Sequence, residues 1–589
     1  MCCLVDTGQH LQPCFSMRST ALVQGRQQNY CLFSISLADP IIIGTLFYRN
    51  EKISNNLLQQ LLQQSPLDQL ARTFHGDFVI IYRTNEALQV LSSLYNSNPL
   101  YLSLLDERQI LLSPSLKGVS HHQRSHLQVN WDLICRKHPK SPNGCWPTMV
   151  EKVYRIKGST HLSVNLDSLE VNGKHYFQPE PLESKMEWDA KEYVTQYRQL
   201  LIDTAVQQAA TVDKIIVPLS GGFDSSVLFN ILSRAYPEKI TAASICTASS
   251  IRNHEIQRAM ELTRATKAPH LIMPVKLSEG ANAAEWYELV TRSESLECGF
   301  ESFLKSQLVS VISTTGTADD TVFSGTGSDQ FAGGTTTLDY SIEGLHQNWE
   351  DFIQAMAKRK WEHYQQTTTN DFFNFAINFF APDFRAAQFP FSDQQLWFQH
   401  QQANHHFLDR KSVFLEAKLY TSQSFATAYP FLNRQLIQLL LSIPPTLYPE
   451  LLFDKQILQR ACGDLLPNSF QGYRKFYRSK KVNDLIFKYF HSLIYDTKKQ
   501  RSLLNQVLDA SPLLSTHFDK TALQQFLKAT ADSKMFPSYT NLLGILNLGI
   551  LDLHLFQGEN LNFPNTTTPF YVTQKISPVL EESLLQDDY

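Results

Sequence analysis

The stretch Lys214-Ile-Ile-Val-Pro-Leu-Ser220-Gly221-Gly222-Phe223-Asp224-Ser225-Ser226 constrains the fold more than any other part of the chain. A β-branched apolar run ends in two glycines, and apolar residues then recur at 227, 228, 231 and 232, so strand, tight loop and helix follow one another. Glycines let backbone N–H groups approach an anion closely, and the start of a helix adds partial positive charge. The loop is therefore an anion cradle: Gly221 and Gly222 supply backbone, and Ser220, Ser225 and Ser226 offer hydroxyls to phosphate oxygens. Asp224 would repel a bare phosphate, which points to a divalent cation between carboxylate and nucleotide. No Gly-Lys-Ser/Thr follows at Walker spacing. Ser-Gly-Gly alone is equally a strand-to-helix turn with a polar cap.

The pattern continues with a strand over 239–245, a helix over 253–266 and a strand over 270–275. That rhythm predicts a parallel, doubly wound sheet, with ligands at the carboxyl ends of its strands. A further strand at 320–324 runs into a second glycine-rich loop, Gly325-Thr326-Gly327-Ser328-Asp329, followed by Gly333 and Gly334. Asp224 and Asp329 are expected to hold one Mg²⁺ between them. Residues 1 to about 180 read as short strands and turns, with an amphipathic helix near Asn55 to Gln64. Beyond 340 the chain reads as helical and aromatic. Phe372, Phe375 and Phe379 share a helical face that is either core or the wall of a trough for a peptide-sized substrate. Turn formers and an acidic end predict a poorly packed tail over 559–589.

The 589 residues carry 52 basic against 56 acidic side chains, a net charge of −4 that disfavours nucleic acid as a partner. Nine cysteines include no CxxC pair, which argues against a zinc ribbon or a thiol-transfer motif. The N-terminus has no basic region followed by an apolar core, and the longest apolar runs, such as 436–443, fall well short of a membrane span. The expectation is a cytoplasmic protein without membrane insertion.

Ser-Gly-Gly-Xaa-Asp-Ser resembles the pyrophosphate loop of ATP pyrophosphatases that form AMP. With Ser324-Gly325-Thr326-Gly327-Ser328-Asp329 in the same chain, residues 74 to 555 resemble the asparagine-synthetase superfamily. Tyr429-Pro-Phe-Leu-Asn433, Asp454-Lys455-Gln-Ile-Leu-Gln-Arg460 and the run from Leu466 to Lys475 are similar to later segments of that family. Gly76-Asp77-Phe78 and Asn98-Pro99-Leu100-Tyr101 look like its glutaminase domain. The resemblance implies an α/β fold: a degenerate Ntn-hydrolase-like, glutaminase-type α+β domain over 1–182, then a synthetase domain over 183–558. The latter would be an adenine-nucleotide α-hydrolase-like PP-loop domain, with a doubly wound parallel sheet and a large helical C-terminal part. It implies ATP and Mg²⁺ as cofactors. Nucleotide contacts would fall at Ser220, Gly221, Gly222, Asp224, Ser225, Ser226, Gly325 and Gly327, and the metal at Asp224 and Asp329. Lys475 would stabilise charge on the phosphates.

Departures from the family pattern narrow the choice. Asparagine synthetases carry Glu-Xaa-Arg where this chain has Ala426 and Ala428, so an aspartate pocket has lost its charges. Cys2 is followed by Cys3, and the glutamine-binding segments are missing. Thr326 stands where relatives have Glu, Tyr or His; it is no general base. A peptide α-amine, with a pKa of about 7.7–8.0, is partly neutral at pH 7 and can attack beside a hydrogen-bonding threonine. These features resemble lasso peptide cyclases, which implies adenylation of an Asp or Glu side chain and ring closure by the peptide's N-terminal amine. The partners would be a leader-cleaved precursor peptide and a leader-peptide protease. The rivals are a glutamine-dependent asparagine synthetase, a β-lactam-type synthetase and a non-enzymatic scaffold.

Overall fold

The computed structural model describes residues 2–6, 32–33, 40–48, 51–105, 109–122, 127–134, 141–179, 188–276, 280–317, 320–334, 348–354, 356, 393–470, 489–496, 501–530, 536–558, 561, 571–572 and 577–586. They form two compact units, residues 1–177 with 551–561, and residues 178–550 with 562–589.

The first unit contains a six-stranded and a five-stranded sheet. Strand Phe78–Arg83 shows how its sequence assigns both faces. Side chains alternate across a strand, so Val79 and Ile81 join Leu102, Leu112 and Ile156 in one core, while Phe78 and Ile80 join Leu58, Leu67 and Leu70 in another. Leu58 belongs to the helix Asn55–Gln64, capped by Ser54 through the Leu57 N–H, as the amphipathic spacing predicts.

The second unit begins with α1 (Ala190–Ala209), whose start is a reciprocal capping box: Glu192 N–H donates to Asp189, and Asp189 N–H to Glu192. Then come β1 (Ile215–Pro218), α2 (Phe223–Ala235), β2 (Ile240–Cys246), α3 (Glu255–Thr266), β3 (His270–Pro274), α4 (Phe300–Thr315) and β4 (Thr321–Phe323). Further on are α5 (Val413–Thr421), β5 (Ala426–Ala428), β6 (Tyr571–Val572) and α6 (Pro578–Gln586). The sheet order is β5-β4-β1-β2-β3-β6, parallel except for β6. Ile215, Ile216 and Val217 are buried, as an apolar run in the middle of a parallel sheet must be. The chain winds outward from β1 through β2 and β3, then returns to β4 on the other side. The crevice between β1 and β4 is thus the switch point of the sheet.

The expectation of a poorly packed tail is corrected here. Tyr571 and Val572 pair with Ile272 and Leu271 at the sheet edge. On α6, Leu584 is fully buried against Cys246, Ile251, Ile256, Met260 and Ile272. A two-residue strand is too short for periodicity to reveal, and a single buried leucine behind an acidic stretch gives no pattern.

Candidate active site

Both glycine-rich loops lie at this switch point. Gly222 is the N-cap of α2, which places Asp224 in its first turn, and Gly327 caps the short helix Ser328–Phe331, which places Asp329 likewise. The loops touch: a Cβ on Gly325 would lie 3.4 Å from the Ser225 nitrogen and 3.6 Å from the Asp224 Cβ. Gly327 has a φ of +104°, and a Cβ there would lie 2.2 Å from Leu432 Cδ2, so the Pro430–Leu432 segment packs where only glycine fits.

The loop roots are tied to the sheet. Ser244 on β2 donates to the Leu219 carbonyl at 2.5 Å and lies 2.6 Å from His270 Nε2. Burial pushes His270 down to about 4, so the ring is neutral at pH 7. Arg258 on α3 donates from Nε to the Gly221 carbonyl at 3.3 Å. Within the cradle the Ser220 N–H donates to Ser225 Oγ at 3.2 Å, and the Gly222 N–H to Ser220 Oγ at 3.2 Å. Ser226 is fully buried, and its hydroxyl has no hydrogen-bond partner among the described residues. An unmet donor beneath a helix N-terminus suits an incoming anion.

The central contact of the site is one that local sequence does not announce. Lys455 Nζ lies 2.7 Å and 3.0 Å from the two oxygens of Asp224 and 2.7 Å from Asp329 Oδ1. Ser328 Oγ also donates to Asp224, at 2.7 Å. The Lys455 side chain is 9% exposed. Burial alone would lower its pKa, but the carboxylates of Asp224 and Asp329 outweigh that and hold the ammonium well above its ordinary range. Lys455 reaches this place from a strained backbone: Asp454 and Lys455 have φ of 51° and 56°. For residues with a Cβ the left-handed region costs roughly 1–2 kcal/mol each.

Asp224 and Asp329, expected to share a metal, are thus brought together around an ammonium ion. Their hard oxygens are still the donors Mg²⁺ takes. Among the described residues no third His, Cys, Asp or Glu gathers with them. That fits an ion held by one or two carboxylates and completed by substrate phosphates.

Under the second loop lies another residue the sequence reading missed. The Thr326 hydroxyl donates to Glu416 Oε2 at 2.8 Å and accepts from Ser324 Oγ at 3.0 Å. Glu416 also pairs with Lys305 of α4. It sits on α5, a helix buried on every side, where its neighbour Lys418 is paired with Glu294 at 2.7 Å. Charges on such a helix need partners. Burial would raise the Glu416 carboxyl, but the Lys305 charge, with hydrogen bonds from Lys305, Ser324 and Thr326, pulls it below its ordinary 4.5.

Glu416→Ala should destabilise the chain by about 3 kcal/mol, the low end for removing one partner of a buried pair, because Lys305 is 37% exposed and can turn to water. Because the folded pKa is depressed, the part of this contribution that depends on the carboxylate charge is complete above 4.5 and is lost as pH falls through the lower folded value. Urea denaturation at several pH values should show the gap between wild type and variant narrowing in that acid window.

Ala426 and Ala428 lie on β5 beside β4. Lys475 and Phe372, Phe375 and Phe379 lie outside the described residues. No helix among the described residues is long and apolar enough to cross a membrane.

Fold and site together define a mixed α/β domain whose parallel sheet carries two glycine-rich loops and a carboxylate–ammonium cluster at its switch point. Residues 196–548, more than half of the chain, match the asparagine synthase family model, and the chain belongs to that family. It is 20% identical over 478 residues to asparagine synthetase [glutamine-hydrolyzing] 2 of Bacillus subtilis (strain 168), covering 78% of this chain and 62% of the relative's length. Among solved structures it matches the glutamine phosphoribosylpyrophosphate amidotransferase of B. subtilis, complexed with ADP and GMP. The identity there is 9% and the TM-score 0.15, over 38% of this chain and 55% of that one, too slight a likeness to carry any argument.

Proposed function

We propose that the chain is an ATP-dependent, AMP-forming amide ligase, and within that class a lasso peptide cyclase acting in the cytoplasm on a leader-cleaved peptide. The observation that carries the ligase reading is the convergence of Asp224, Asp329 and Lys455 between two glycine-rich loops. The cradle from Ser220 to Ser226 holds the polyphosphate, and Gly325 and Gly327 let the second loop approach it. Asp224 and Asp329 would hold Mg²⁺, which when bound neutralises the triphosphate. Lys455, and Lys475 by its place in the family motif, offset charge on the phosphates.

In the first step a side-chain carboxylate oxygen of the peptide attacks the α-phosphorus and pyrophosphate leaves. In the second, the peptide's α-amine attacks the activated carbonyl, AMP leaves, and the nitrogen gives up a proton. The Thr326 hydrogen is committed to Glu416 and its oxygen already accepts from Ser324, so its remaining lone pair would serve the amine as a hydrogen-bond acceptor. Holding both ends of one peptide replaces an encounter with an oriented internal attack. The peptide reading is supported by the uncharged Ala426 and Ala428, which offer aspartate no ion pair. The first unit then acts as a glutaminase-derived scaffold, and a leader-peptide protease supplies the substrate.

A glutamine-dependent asparagine synthetase is the second reading, favoured by the B. subtilis relative and by Cys2. Mass spectrometry of a leader-free peptide incubated with ATP should show loss of one water, with AMP and pyrophosphate formed in equal amounts. Asparagine made from aspartate and glutamine, and abolished by Cys2→Ala, would replace the peptide reading with the second one.

A further inference from the structure

We propose that Lys455 is a built-in counter-ion that keeps divalent metal out of the Asp224–Asp329 cleft until a polyphosphate arrives, so that metal and nucleotide enter together. The inference rests on the ligase reading and adds a binding order to it.

Two observations carry it. First, the ammonium uses the oxygens a metal would use: it contacts both carboxylates, at 2.7 Å each. Metal–oxygen distances for Mg²⁺ are about 2.0–2.1 Å, so ammonium and metal cannot share these oxygens in one place. Second, Lys455 is held in position by more than its charge. Its left-handed backbone follows the left-handed Asp454, whose carbonyl accepts from Gln459 Nε2 at 2.6 Å.

Two carboxylates and one ammonium leave a single net negative charge, a weak attraction for a dication. A triphosphate changes this balance. Its oxygens offer the ammonium another partner and complete the metal's shell, so the cation and the lysine are redistributed over a larger set of anions. Coupling between sites is reciprocal, so metal must strengthen nucleotide binding by the same factor that nucleotide strengthens metal binding.

The test reads Mn²⁺ by electron paramagnetic resonance, with an ATP analogue methylene-bridged between the α- and β-phosphates to prevent turnover. Nucleotide-free wild type should bind Mn²⁺ weakly, and the analogue should tighten it about tenfold or more. Lys455→Met, a neutral side chain of similar length, should bind one Mn²⁺ without nucleotide about tenfold or more tightly than wild type. If that variant does not fold by circular dichroism, Lys455→Gln serves the same comparison. Nucleotide-free wild type binding Mn²⁺ as tightly as the folded variant overturns the counter-ion role and leaves the ligase reading standing. Failure of wild type to bind either the analogue or Mn²⁺ in its presence overturns the ligase reading itself.

Discussion

Asp224→Asn and Asp329→Asn should each cut ATP-dependent pyrophosphate release by about two to three orders of magnitude. Each carboxylate lies in the first turn of a helix at the switch point of the sheet, where a ligand in a doubly wound fold must sit. The two substitutions should differ in stability, however. Asp224 meets Lys455 through both oxygens and also accepts from Ser328, whereas one oxygen of Asp329 meets the lysine. Urea denaturation should therefore show Asp224→Asn as the more costly. With both changed, Lys455 would be left in a buried place with neither carboxylate opposite it, at a cost of about 3–5 kcal/mol. Because each single variant leaves the ammonium one carboxylate, the double variant should lose more than the two singles combined. Full pyrophosphate release in either single variant would remove that residue from the site.

What the sequence made legible follows from distance along the chain. The run from Lys214 to Ser226 announces strand, loop and helix because the signals are contiguous, and β1 and α2 form as that run predicts. The helix Asn55–Gln64 is equally plain: its cap, its period and its ends are all local. The partners of the loops are not. Lys455 stands 231 residues after Asp224, and Glu416 stands 90 after Thr326. Lys455 enters the sequence reading only as part of the segment Asp454 to Arg460 that is similar to a later segment of the family, with no role at the site. Nothing in their side chains signals two successive left-handed residues. Glu416 lies in an apolar stretch, Val413 to Tyr420, and its burial with Lys305 is settled by the packing of α5. Contacts of this kind arise from tertiary structure, which propensity and spacing do not encode.

Gly221→Ala should nearly abolish nucleotide chemistry while the chain still folds, because the fault is confined to the cradle. Gly221 has a φ of +75°, where a side chain costs roughly 1–2 kcal/mol. The added Cβ would also lie 1.8 Å from the Glu255 carbonyl oxygen at the start of α3. Backbone against backbone offers no rotamer to escape into, so loop and helix must separate. Overpacking of this kind costs about 1–3 kcal/mol. The larger effect is positional: a shift of about 1 Å in a catalytic arrangement costs on the order of a hundredfold in rate. The same shift would pull the Gly221 carbonyl from Arg258 and the cradle N–H groups from their serine partners. Gly463 supplies the control. A Cβ there meets nothing within 4 Å, and its φ of −62° is helical. Gly463→Ala should leave pyrophosphate release unchanged and stabilise by about 0.4–1 kcal/mol through the unfolded chain. Measured side by side, the two variants separate loss of a glycine as such from loss of the one backbone shape that brings Ser220 to Ser226 against Asp329 and Lys455.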